Sequence, residues 1–180
     1  MGSDANRLRK IWQTYAGRNA ANAENDFFRT FQLLFNETEY LIRRSPNEFK
    51  YLYVNVQLTP QEQAEIYTPT VEIKKHGLFP DYAITNTETN KTIYIEVKRQ
   101  DGWVEGGKRR DGRGNVHERS CKFFTPGLLS ALRTAGNLNP NIIPFWTVFI
   151  GNITRDPCRV REVKLWCTGI PEHYFMWRNQ

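Results

Sequence analysis

Cysteine is scarce in this chain and poorly spaced for bonding. Cys121, Cys158 and Cys167 are spread through 180 residues without a CxxC pair. That excludes a disulfide-dense scaffold and a paired-cysteine zinc site, and makes a reducing, cytoplasmic setting the expectation. Long apolar runs are missing too. The most apolar stretch, Pro144 to Ile150, is far shorter than the ~20 residues needed to cross a bilayer, and the polar N-terminus shows no signal-peptide pattern. A soluble protein with no membrane role is expected. No repeat, low-complexity tract or dividing linker interrupts the chain, so residues 1–180 are expected to form a single domain. The glycine-rich segment Asp101 to Gly107 lacks a closing Gly-Lys-Ser/Thr, which excludes a phosphate-cradling P-loop.

Positive charge is present in excess, 25 Lys plus Arg against 19 Asp plus Glu. Between Lys98 and Lys122 there are eight basic and four acidic residues, a local net of +4 that suits a polyanionic partner. Directly before this stretch lies the most informative pattern. Pro80-Asp81 is followed, after fourteen residues, by Glu96-Val97-Lys98. Thr92 to Lys98 alternates, with Ile93, Ile95 and Val97 on one face and Thr92, Tyr94, Glu96 and Lys98 on the other. Asn86 to Lys91 is short and polar, so Tyr82 to Thr85 and Thr92 to Lys98 are expected to pair as an antiparallel hairpin that sets Asp81 beside Glu96.

Two carboxylates and an ammonium gathered in this way suit metal-dependent phosphodiester hydrolysis. Mg²⁺ takes oxygen ligands and retains waters, so Asp81 and Glu96 with water and a phosphate oxygen suffice to hold it. Lys98 is placed to orient a water or to stabilise the charge that develops. The plain alternative is a hairpin with surface charges.

Around the hairpin, Phe27, Phe28, Phe31, Leu34 and Phe35 fall at helical spacing over about Asn25 to Phe35, with Glu24 at the entrance as a dipole-favoured charge or a supplementary ligand. Leu52 to Leu58 reads as an edge strand, and Pro60 to Tyr67 as a short helix. Asn115 and Glu118 form a capping-box pattern for a helix over Val116 to Phe123. Thr125-Pro126 starts a further helix that Gly136 stops. Arg113, Asn115, His117 and Arg119 therefore gather at a helix entrance, where Arg and Asn suit base edges and the helix N-terminus suits phosphate; ordinary capping is the alternative. Pro144 to Ile150 has the near-continuous apolar character of a strand covered on both faces. Asp156-Pro157 resembles a helix start with Arg159 and Arg161 exposed, Val163 to Cys167 reads as a further strand, and Tyr174 to Trp177 as packed aromatic cover. This order predicts an α/β fold, a mixed central sheet flanked by helices on both faces.

The segments Glu96 to Gly106, Gly112 to Lys122 and Phe124 to Leu129, continued through Ile153 to Glu162 and Tyr174 to Arg178, resemble the MunI-type, EcoRI-like type II restriction endonucleases of the PD-(D/E)xK superfamily. The resemblance implies a homodimeric, Mg²⁺-dependent endonuclease that cuts both strands of a double-stranded DNA palindrome and leaves 5′-phosphate ends. Asp81 and Glu96 would be its metal carboxylates and Lys98 its catalytic lysine. The family's Gly-Asn-Ala-x-Glu-Arg recognition segment matches Gly114, Asn115, Val116, His117, Glu118 and Arg119, with valine at the alanine position. Asn115 and Arg119 would read adenines of a central AATT. Arg113 would read the outer C:G pair, favouring CAATTG over GAATTC. A junction or repair nuclease using the same trio, and a non-catalytic DNA-binding module, are the competing readings.

Overall fold

The computed structural model describes residues 25–68, 70–71, 74–101 and 120–178. Within them a five-stranded mixed sheet has the order β1-β2-β3-β4-β5, formed by Tyr40–Arg44, Tyr82–Asn86, Lys91–Arg99, Phe145–Ile150 and Tyr174–Trp177. The first three strands form an antiparallel meander, and β3, β4 and β5 run parallel. The described residues also include helices α1 (25–34), α2 (Pro60–Glu65), α3 (Pro126–Ala135) and α4 (Pro157–Trp166), with 3₁₀ turns at Cys121–Phe124, Asn152–Thr154 and Pro171–His173.

The hairpin forms as its pattern predicts. Asn86 Oδ1 accepts from the backbone N–H groups of Glu88 and Thr89 at 3.1 and 2.9 Å, and Asn90 takes the left-handed turn position at φ 53, a conformation that asparagine tolerates better than most residues. β3 then divides its side chains between two cores. Ile95 and Val97 join Phe27, Ile42, Tyr82, Ile84, Val148 and Ile150, with Ile93 packed at the margin. Tyr94 faces the opposite way, against Phe49, Ala83, Phe123, Leu132 and Phe145.

α1 lays Phe27 on the first face, its ring 5.3 Å from Tyr82 and 5.7 Å from Trp177. Phe28, Phe31 and Phe35 pack beside it, whereas Leu34, expected to face the core, is exposed. α3 covers the second face through Leu132, supported by Leu128 and Leu129. α4 packs Val163 and Cys167 on Phe149 and Ile153. Helices thus flank both faces.

The helix starts follow their sequence signals. Thr59 and Glu62 form a capping box ahead of Pro60. Pro126 and Pro157 occupy first-turn positions where a missing N–H costs nothing. Asp156 is fully buried and accepts from Cys158 N at 3.0 Å.

Four further expectations change. Leu52 to Leu58 is not a strand: it is a succession of turns, with Leu52 N donating to Phe49 O and Val56 N to Tyr53 O. The segment is mostly exposed and has no continuous apolar row to bury. Val163 to Cys167 is not a strand either, because the helix begun at Pro157 continues to Trp166 and its Val163/Cys167 stripe supplies the apolar contact. Arg159 is half-buried rather than exposed and pairs with Glu162 at 2.7 Å; Arg161 is exposed. Tyr174–Trp177 is more than aromatic cover: it is the parallel edge strand β5. The expected helix over Val116 to Phe123 lies largely outside the described residues, and its end is a 3₁₀ turn, Cys121–Phe124, anchored by buried Phe123.

Candidate active site

Asp81 is fixed from behind before its side chain is used. The chain reaches it through Gly77, where a Cβ would stand 1.9 Å from Phe49 O, so only glycine permits that close approach. Leu78 N donates to Phe49 O and Ser45 N donates to Asp81 O at 2.9 Å. The β2–β3 register pairs Tyr82 with Ile95, which brings Asp81 level with Glu96. Asp81 Oδ2 accepts from Val97 N at 2.7 Å, and that amide lies between the two other members of the trio. A charged acceptor on a backbone N–H is among the stronger hydrogen bonds.

Glu96 and Lys98 project from one face of β3 and form an ion pair through Glu96 Oε1 and Lys98 Nζ. Both side chains are largely withdrawn from solvent, 12% and 21% exposed, so their fields are less screened than those of a surface pair. The end of β3 is tied to β4. Gln100 N donates to Ile150 O and Ile153 N donates to Gln100 O, both at 3.0 Å. Gly151, at φ 90, lets the backbone pass Asp101 where a Cβ would meet its carboxylate at 2.6 Å.

Two residues before Glu96 on β3, Tyr94 donates to Glu48 Oε1 at 3.4 Å, and Arg43 holds the same carboxylate with both terminal nitrogens. Burial, reinforced by Glu48, pushes the Tyr94 phenol well up. Burial also opposes ionisation of Glu48, but hydrogen bonds from Arg43 and Tyr94 outweigh it and hold that carboxyl below its ordinary value. Beside Glu96 in the β3–β4 register stands Thr147. Its side chain is 1% exposed and its Oγ1 has no hydrogen-bond partner, a state that costs ~1–3 kcal/mol. Glu48 and Thr147 were not legible as site residues in the sequence. The available signal for Thr147 was that it is the one hydroxyl in the apolar run Phe145–Ile150.

The donor set fits a hard divalent cation. Two carboxylates from adjacent strand ends offer oxygen only, and a cationic group already sits on one Glu96 oxygen. Among the described residues no cluster of three or more His, Cys, Asp or Glu side chains adds to them. Glu24 lies outside the described residues, as do Arg113, Gly114, Asn115, Val116, His117 and Arg119. The described chain resumes at Ser120, immediately after that segment.

Comparison with known proteins places the chain in a family. The model of the family "Type II restriction enzyme MunI" matches residues 1–180. The chain belongs to the MunI family of type II restriction enzymes. Type II restriction enzyme MunI from Mycoplasma sp is 48% identical over 181 residues, covering 99% of this chain and 90% of that protein. The crystal structure of MunI restriction endonuclease in complex with cognate DNA matches with a TM-score of 0.78 at 48% identity, covering 94% of this chain and 87% of that one. The mixed sheet and its flanking helices are thus the MunI restriction-endonuclease fold. Membership in the MunI family also makes the basic balance intelligible, since DNA is a polyanion.

Proposed function

We propose that this protein is a homodimeric, Mg²⁺-dependent endonuclease that cuts both strands of CAATTG and leaves 5′-phosphate ends. The observation that carries the reading is the gathering of Asp81, Glu96 and Lys98 around the Val97 amide, in a chain 48% identical to MunI. Asp81 and Glu96 would hold the metal, which when bound supplies charge neutralisation at the phosphate and lowers the pKa of a coordinated water. The Val97 amide orients Asp81 by donating to its Oδ2. Lys98 presents its ammonium on the same face, where it stabilises charge on the attacked phosphate. One trio per protomer and a two-fold axis give one cut per strand of a palindrome.

Sequence selection is assigned to the segment after the trio. Arg113 reads the outer C:G pair, Asn115 and Arg119 read the adenines of AATT, Gly114 and His117 complete the segment, and Val116, at the family's alanine position, either packs on thymine methyl groups or shifts the readout. Incubation with Mg²⁺ and a plasmid bearing one CAATTG and one GAATTC, followed by sequencing of the ends, tests the whole reading. Cuts confined to CAATTG are expected. Cutting at GAATTC overturns the Arg113 assignment, cutting at random or branched DNA favours a structure-selective nuclease, and no cutting with any divalent metal overturns the catalytic reading.

A further inference from the structure

Buried threonines elsewhere in the described residues have their hydroxyls satisfied. Thr92 shares a 2.8 Å hydrogen bond with Thr85, and Thr154 donates to Gly151 O at 2.8 Å. Thr147 is the exception, equally buried but with an unpartnered Oγ1. Valine would match its shape and leave no polar atom to satisfy, so packing alone gives no reason for a hydroxyl at this place.

Its position supplies a reason. On β4, Trp146, Val148 and Ile150 face the α1 side, so Phe145, Thr147 and Phe149 face the other. That is the face of Tyr94, Glu96 and Lys98. The parallel register sets Glu96 on one side of Thr147 and Tyr174 on the other, and neighbouring strands stand ~4.8 Å apart. Tyr174 packs with the Phe149, Ile153 and Val163 cluster, which leaves Glu96 as the carboxylate beside the hydroxyl. In the present arrangement Glu96 Oε1 is engaged by Lys98.

We propose that Thr147 is a positioning residue for Glu96, its hydroxyl donating to the carboxylate once that group turns from Lys98 toward a divalent cation. The inference rests on the reading of Asp81 and Glu96 as metal carboxylates. A hydrogen-bonded carboxylate keeps one oxygen presented and loses less freedom on binding, and such supporting partners typically contribute ~10- to 100-fold in metal affinity.

The test is Mn²⁺ binding to the full chain, followed by water-proton relaxation, for wild type, Thr147→Val, Thr147→Ser and Glu96→Gln. Thr147→Val is expected to weaken Mn²⁺ binding about tenfold and to lower cleavage at limiting Mg²⁺, with recovery at saturating Mg²⁺. Thr147→Ser keeps the hydroxyl and is expected to restore binding to near the wild-type value. In EDTA, Thr147→Val should melt no lower than wild type, since it removes an unpaired polar atom. Mn²⁺ binding by Thr147→Val equal to wild type, or an equal loss in the serine and valine variants, overturns the role. If the valine variant lacks a native melting transition, Thr147→Ala takes its place under the same criterion. Undiminished Mn²⁺ binding by Glu96→Gln overturns the carboxylate reading itself, whereas loss in Glu96→Gln with none in Thr147→Val overturns only the part given to Thr147.

Discussion

On one face of β3, Ile93, Ile95 and Val97 pack against the aromatics of α1, Tyr82 and the apolar side chains of β4. On the other, Thr92 meets Thr85, Tyr94 meets Glu48 and Glu96 meets Lys98. The same nine-residue strand therefore carries an apolar face, from Ile93 to Val97, and a mixed one, where Tyr94 packs in the second core and Glu96 and Lys98 form their ion pair. Period-two alternation makes this division possible, because a substitution at one position leaves the next pointing away from it. The difference teaches that cleavage and folding should be separable between Glu96 and Lys98 on the mixed face and Ile93, Ile95 and Val97 on the apolar one.

The most severe separation is expected at the trio. Asp81→Asn and Glu96→Gln each remove a charge proposed to hold the metal without changing shape, and each should lower cleavage by on the order of a thousandfold or more. Their melting transitions should stay cooperative and near wild type. Comparable turnover by either variant would refute the site assignment, and a collapsed melting transition would show that the two faces are not separable. The opposite variant is Ile95→Ala, one residue away from Glu96 and 1% exposed. It should cost ~2–5 kcal/mol of unfolding free energy, measured by urea titration. Its folded fraction should retain the wild-type cleavage rate, and a rate loss larger than the loss of folded protein would show that the apolar face also tunes the chemistry.

Much of this division was legible because β2 and β3 are adjacent in sequence and their alternation is clean. The helix boundaries were legible at Thr125-Pro126, Asp156-Pro157 and Gly136, where local stereochemistry settles the matter. The edge strands were not. β1 buries only Ile42 fully and takes its structure from pairing with a strand far along the chain. β5 is Tyr-Phe-Met-Trp, apolar at every position, so periodicity could not mark it as a strand. Val163 to Cys167 misled because its β-branched and aromatic residues suit a strand locally, while the helix already started at Pro157 decides the outcome. The convergence of Asp81, Glu96 and Lys98 was readable from pattern and spacing. Glu48 and Thr147 were not, because their meaning lies in tertiary neighbours: Arg43 and Tyr94 for one, Glu96 for the other.

A smaller effect should appear in specificity. Arg113 lies outside the described residues, and its proposed task concerns the outer base pair alone. Arg113→Ala should therefore relax discrimination between CAATTG and GAATTC by about 1–3 kcal/mol per altered pair, read as the ratio of cleavage rates on the two duplexes. Its melting temperature should match wild type, and unchanged discrimination would remove Arg113 from the recognition set.

The smallest expected effect distinguishes the faces by pH. Burial lowers the pKa of His173 below its ordinary 6.5, although its Nδ1 lies 3.0 Å from Phe145 O and Glu172 is nearby; its ring stacks edge-on with Phe145 at 4.1 Å. The unfolded chain then takes up the proton more readily than the folded one, so this contribution is complete above pH 6.5 and is lost as pH falls through the folded value. Glu48, also held below its ordinary 4.5, contributes stability above that pH that is lost on further acidification. Both groups lie on the side of the sheet that Tyr94 and Phe145 face. Urea midpoints measured from pH 8 downward should therefore show two acid losses, with His173→Gln flattening the upper and Glu48→Gln the lower. Ile95→Ala should lower the whole curve without changing its shape. A change of shape in Ile95→Ala would mean that the apolar face controls the burial of these titrating groups, and the two sides of β3 would then be energetically coupled through the strand.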